Sequence, residues 1–284
     1  MTSIAGARVV ITGASSGIGA RTAHAFAERG AHVILLARSE DGLRSVTEGI
    51  RSTGGRADWY PLDIADFAAV ADVAGRILDD LGPVDVLVNN AGSGRWLAID
   101  ETDPAEALAM TMVPYLGAFA ITHHLVGPMI ARGAGTIVTI TSPAAIAPFP
   151  GSAAYSVARA SMRELARALR ADLRGTGVRS ALVIAAEVES DYWANNPGAR
   201  QRVPAISKLV GTLTPDECAE AIVRVVEKDR RSATIPWRLA AVKAAHHVAP
   251  GAVEELIART GWRRPQGGDH GPRSPQELES ATSS

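Results

Sequence analysis

At 284 residues the chain is long enough to bury a sizeable core without disulfide or metal staples. Its 29 Lys and Arg against 30 Asp and Glu leave a net charge of −1, which argues against a general nucleic-acid or anionic-membrane binder. The single cysteine, Cys218, excludes an intrachain disulfide and a multi-cysteine zinc site, and a reducing, cytoplasmic setting is the simplest expectation.

No basic stretch followed by an apolar run opens the chain, so no secretory signal is expected. No uninterrupted apolar stretch of roughly 18 residues predicts a membrane span. Short β-branched runs then alternate with longer amphipathic stretches. Arg8–Thr12 reads as a strand, Gly17 to Gly30 as a helix, and His32–Leu36 as a second strand. A helix over about Glu40–Thr53, a strand at Asp58–Leu62, a helix over Phe67–Leu81 and a strand at Val84–Val88 follow. Further strands are expected at Thr136–Ile140 and Ser180–Ile184, with a helix beginning near Ala153 between them. Nearly continuous apolar strands separated by helices predict a doubly wound α/β fold, a parallel sheet covered on both faces in one domain over residues 1–264. Gly30 and Gly82-Pro83 stand where helices should stop, and Thr214-Pro215-Asp216-Glu217 reads as the capped start of a helix to about Lys228. Pro265 to Ser284 is Pro-, Gly- and Ser-rich with almost no apolar residues, which predicts a disordered tail.

The first strand runs into Thr12-Gly13-Ala14-Ser15-Ser16-Gly17-Ile18-Gly19 and directly on into a helix. Glycines there let backbone approach a pyrophosphate, and the helix N-terminus favours an anion. With a strand before, a helix after and a second strand about 20 residues on, the context is that of a nucleotide site. This TGASSGIG string, together with Asn89-Asn90-Ala91-Gly92, resembles the short-chain dehydrogenase/reductase family over roughly residues 5 to 235. The resemblance implies a nicotinamide cofactor held by Gly13, Ser15, Ser16, Gly17, Ile18 and Gly19. Asp63 and Ile64 would border the adenine, Asn90, Ala91 and Gly92 the ribose, with Val188, Tyr155 and Arg159 nearer the nicotinamide. Arg38 stands where an NAD enzyme carries an acid, and a guanidinium there suits a 2′-phosphate, so NADP(H) is preferred over NAD(H).

The same resemblance implies a catalytic set of Ser142, Tyr155 and Arg159. The tyrosine gives a proton to a carbonyl oxygen while hydride arrives from the cofactor, and the serine orients that oxygen. A nearby cation favours the tyrosinate, since free tyrosine ionises near pH ~10. Three departures mark this chain. The family's Tyr-x-x-x-Lys is Tyr155-Ser156-Val157-Ala158-Arg159, and arginine keeps its charge but cannot pass on a proton. Pro114 replaces a family asparagine thought to hold a relay water, and Ala185-Ala186 replaces a Pro-Gly beside the nicotinamide. Ser190 stands in for a threonine.

Residues 187–213 lose regular periodicity and are expected to fold over the substrate, with Trp96 and Trp193 suiting an apolar or aromatic wall. Glu187 and Glu189 read as solvated loop charges or partners for Arg159. His123-His124 and His246-His247 read as surface or packing residues, Cys218 as a buried thiol, and Trp237 to Trp262 as a segment docked on its own fold. The function expected is NADP-dependent hydride exchange with a small-molecule ketone or secondary alcohol. The alternatives are a redox-neutral dehydratase, epimerase or cyclase, and a non-catalytic NADP(H)-binding protein. Family resemblance also implies a homodimer or homotetramer built on helices near residues 103–132 and 153–174.

Overall fold

A strand buried on both faces needs apolar side chains pointing both ways, and the runs read from the sequence supply them. In the computed structural model, which describes residues 3–92, 94–190, 192–194 and 196–264, seven such strands form one parallel sheet. They are β1 (Arg8–Thr12), β2 (His32–Ala37), β3 (Arg56–Pro61), β4 (Val86–Asn89), β5 (Gly135–Thr141), β6 (Val178–Ala185) and β7 (Ser232–Ile235). Their order across the sheet is β3-β2-β1-β4-β5-β6-β7. The expected tail, 265–284, lies outside the described residues.

Alternation along each strand divides the core into two layers. Val9, Ile11, Val33 and Leu35 pack with α1 (Gly17–Glu28) and α2 (Glu40–Ser52) on one face. Val10, Ile34 and Leu36 pack on the other face against α3 (Phe67–Leu81). After α3 come α4 (Pro104–Thr111), α5 (Gly117–Arg132) and α6 (Ala153–Asp172), then the single turn α7 (Ala199–Arg202) and α8 (Pro215–Glu227). A hairpin of α9 (Trp237–Val248) and α10 (Pro250–Thr260) closes the described chain. Thr214 caps α8 as expected and forms a capping box with Glu217, and Ser39 and Asp66 cap α2 and α3. Arg29 joins α1 to α8 by ion pairs to Glu220 at 2.9 Å and Glu227 at 3.0 Å.

The sequence reading missed β7. This strand is four residues long, only partly buried and at the sheet edge, so it carries no apolar run. Pro114 sits buried in a π-helical turn, Met112–Leu116, which joins α4 to α5. Proline has no N–H to donate, and a widened turn accommodates that loss without ending the helix. Among the described residues, the continuous helical run Pro104–Arg132 is the one stretch long and apolar enough to cross a membrane by length and composition, and its inner face packs in the core.

Cys218 is fully buried in α8, and burial pushes its thiol up to about 12. The thiolate is the reactive form, so iodoacetamide labelling near pH ~8 is expected to run about three orders of magnitude slower in the folded protein than in urea. Mass spectrometry of both samples checks this; rapid labelling of the folded protein would contradict it.

Candidate active site

The strand order reverses between β2 and β4, on either side of β1, and ligands of such sheets bind beyond the carboxyl ends of the strands at that point. A cleft of about 1050 Å³ opens there. Every residue named above as a cofactor or catalytic candidate lines it, from Gly13 and Arg38 to Tyr155, Arg159 and Val188.

The end of the cleft that holds the two glycine-bearing turns is assembled around Thr12, the last residue of β1. Its hydroxyl accepts the backbone N–H groups of Asn90 at 3.0 Å and Ala91 at 2.9 Å. The Asn90 side-chain amide in turn donates to the carbonyls of Thr12 at 2.9 Å and Gly13 at 3.2 Å. The two glycine-bearing turns are thus locked to each other. Thr12 was not among the expected site residues, although its place at the strand end just before Gly13 was visible. A Cβ on Gly19 would overlap the Gly13 carbonyl oxygen and come within 2.7 Å of the Asn90 amide nitrogen, so only glycine fits. Ser16 precedes α1 without capping it by its side chain, and no acid occupies the first turn. The backbone N–H groups there remain open to an anion. Arg38 is exposed just past β2 and makes no hydrogen bond or ion pair among the described residues. Asp63 accepts the Ala65 N–H at 3.0 Å, and Ile64 packs closely under Gly117.

The end of the cleft that holds Ser142, Tyr155 and Arg159 is set by the C-terminus of β5 and the start of α6. Ser142 follows β5, and its Oγ is buried with no hydrogen-bond partner among the described residues. A buried hydroxyl left without a partner is costly unless a ligand supplies one. Tyr155, 6% exposed, lies one helical turn before Arg159. The Arg159 guanidinium carbon is 4.7 Å from the Tyr155 ring centroid, so the cation covers the ring face. A Cβ on Gly92 would come within 2.6 Å of that guanidinium, which ties the glycine of the second turn to the arginine's position. Thr141 Oγ1 donates to the Arg159 carbonyl at 2.9 Å and fixes this part of α6 on the sheet.

Aromatic side chains surround the tyrosine. The ring of Trp96 is 5.3 Å from that of Tyr155 and 6.4 Å from that of Trp193. The Tyr192 hydroxyl accepts from the Trp96 indole N–H at 3.0 Å and donates to the Gly94 carbonyl at 2.7 Å. Burial pushes the Tyr192 hydroxyl well above the usual phenol range, and neighbouring Tyr155 adds to the effect. The sequence reading missed Tyr192 as the polar link in this wall. Glu187 pairs with Arg200 at 3.4 Å. Val188 makes a parallel bridge to Leu213, and its carbonyl accepts the Trp193 indole N–H at 2.9 Å, which holds the loop over the cleft. Among the described residues, no group of three or more His, Cys, Asp or Glu could hold a metal ion.

A sequence profile described as short chain dehydrogenase matches residues 7–200. The chain therefore belongs to the short-chain dehydrogenase/reductase family. It is 33% identical over 250 residues to a fatty acyl-CoA reductase of Acinetobacter baylyi, covering 87% of this chain and 81% of that protein. It is 32% identical over 227 residues to a ketoacyl reductase of Nostoc sp., covering 80% and 77%. Among solved structures, a gluconate 5-dehydrogenase of Burkholderia cenocepacia in complex with NADP and tartrate superposes with a TM-score of 0.74 at 26% identity, over 84% of this chain and 96% of that one.

Proposed function

We propose that this protein is an NADP(H)-dependent oxidoreductase that exchanges hydride between the cofactor and a ketone, aldehyde or secondary alcohol, with Tyr155 as general acid and base. The observation that carries this reading is the unpartnered Ser142 hydroxyl lining the same cleft as Tyr155, whose ring is covered by Arg159. The cofactor, when bound, supplies the hydride. The open N–H groups at the start of α1 would hold its pyrophosphate, and Arg38 its 2′-phosphate. Ser142 would donate a hydrogen bond to the substrate oxygen, and Tyr155 would transfer its proton to that oxygen as the carbon is reduced. Arg159 stays charged throughout and stabilises the tyrosinate that remains; it does not relay protons. Both relatives described above are reductases, which supports the redox reading over a redox-neutral one.

Leu108, Phe119 and Val157 are more than half exposed on the α4, α5 and α6 surface, and a homo-oligomer formed through that face would cover them.

The deciding experiment follows NADPH absorbance with a panel of carbonyl compounds, comparing the natural protein with Arg159→Lys. Hydride transfer by the natural protein, unchanged or weakened in the variant, is the expected result. A silent natural protein whose lysine variant gains turnover would overturn the reading.

A further inference from the structure

We infer that the substrate carries its carbonyl on a linear apolar chain, and that the inner faces of α9 and α10 bind that chain. This inference rests on the proposed hydride-transfer reading of the cleft. Leu239, Val242 and Ala245 recur three apart on α9, and Val253, Leu256 and Ile257 recur three and four apart on α10, one stripe on each helix. Such stripes ordinarily pack against a neighbour. Here only Leu239 (2% exposed) and Ile257 (7%) are buried on their helices, while Leu256 is 46% exposed. Both stripes instead line the cleft that contains Ser142 and Tyr155.

The chemistry of this arm differs from that of the rest of the cleft. From Val203 onward the chain contributes only apolar side chains, one serine and one glycine to the lining. The charged lining groups, Arg38 and Arg159 among them, all come from earlier elements. A polar ligand extending into the arm would lose its water without gaining partners, whereas methylene groups gain from burial. The hairpin is also pinned at both ends. Arg238 donates to the Leu209 carbonyl at 3.2 Å, and Arg264 pairs with Asp100. Arg202 pairs with Glu101 and stacks on Trp262 at 4.5 Å, next to the end of α10. The open apolar arm is therefore roofed by an anchored element.

The test measures kcat/KM with NADPH for linear aldehydes from butanal to decanal, in the natural protein and in Val242→Trp and Val253→Trp, whose indoles would fill the arm. The expected result is a rise of about three- to fourfold per added methylene until the arm is full. The tryptophan variants should lose the long-chain gain and keep butanal turnover. Calorimetry of butanol and decanol with the NADP-loaded protein reads the arm without turnover, with decanol expected to bind at least about a hundredfold tighter. Absent aldehyde turnover with that alcohol preference intact, and erased by both variants, would sink hydride transfer and uphold the arm. A flat chain-length dependence in both measurements, or a preference that neither variant alters, would overturn the inference.

Discussion

Replacing Tyr155 by phenylalanine is expected to lower single-turnover NADPH oxidation by about a thousandfold while NADPH affinity changes by less than about threefold. The substitution removes one oxygen and keeps the ring. Trp96 would still pack at 5.3 Å and Arg159 would still cover the ring face at 4.7 Å, since phenylalanine also supports a cation–π contact. Folding and the cofactor floor around Thr12 lie outside the change. Tyr192 is a poor substitute donor, because its hydroxyl proton is already committed to the Gly94 carbonyl. Stopped-flow absorbance and cofactor titration provide the two readings. Retained turnover would move the proton donor elsewhere, and loss of cofactor binding would mean that the hydroxyl has a structural role.

Arg38→Glu is expected to weaken NADPH binding by about a hundredfold or more and to strengthen NADH binding, reversing the preference. Charge-assisted hydrogen bonds to a phosphate contribute about 1.5–3 kcal/mol, and a carboxylate in the same place adds repulsion. A carboxylate can instead accept from the ribose hydroxyls of NADH. The native fold should tolerate the change. Arg38 makes no hydrogen bond or ion pair with the described residues, and an added acid just before α2 interacts favourably with the helix N-terminus. Titrations of both cofactors check the ratio. An unaltered ratio would place the discriminating contact away from Arg38.

The architecture was largely legible because a doubly wound sheet is written in local signals. Continuous apolar runs gave β1, β2, β5 and β6 within a few residues, and a capping residue gave the start of α8. The two glycine-bearing turns, which meet at one end of the cleft, were legible for the same reason: each is a contiguous string. What stayed illegible depends on residues distant in the chain. The Thr12 hydroxyl meets Asn90 and Ala91 across 78 and 79 positions, and Tyr192 meets Trp96 across 96. No periodicity reports such meetings. β7 was missed because Ser232–Ile235 draws its pairing from β6 rather than from its own composition. Arg159 was expected as a cation near Tyr155, but only the fold shows that its guanidinium sits over the ring and against Gly92. The segment from Trp237 to Trp262 was expected to dock on its own fold. It does so at its ends, while its middle lines open cleft.

The Thr12 clamp has a thermodynamic consequence. Both turns that would receive a dinucleotide are already immobilised by the protein's own hydrogen bonds, so little backbone entropy is left to lose on association. Binding should then be a single fast phase without a slow rearrangement, and the affinity should not be lowered by the cost of ordering the two turns. A Thr12→Val change would preserve the shape of the residue and leave the backbone N–H groups of Asn90 and Ala91 without their hydroxyl acceptor, so that only the Asn90 side-chain amide would still tie the two turns together. The second turn would loosen in the free protein, and each arriving nucleotide would have to order it again.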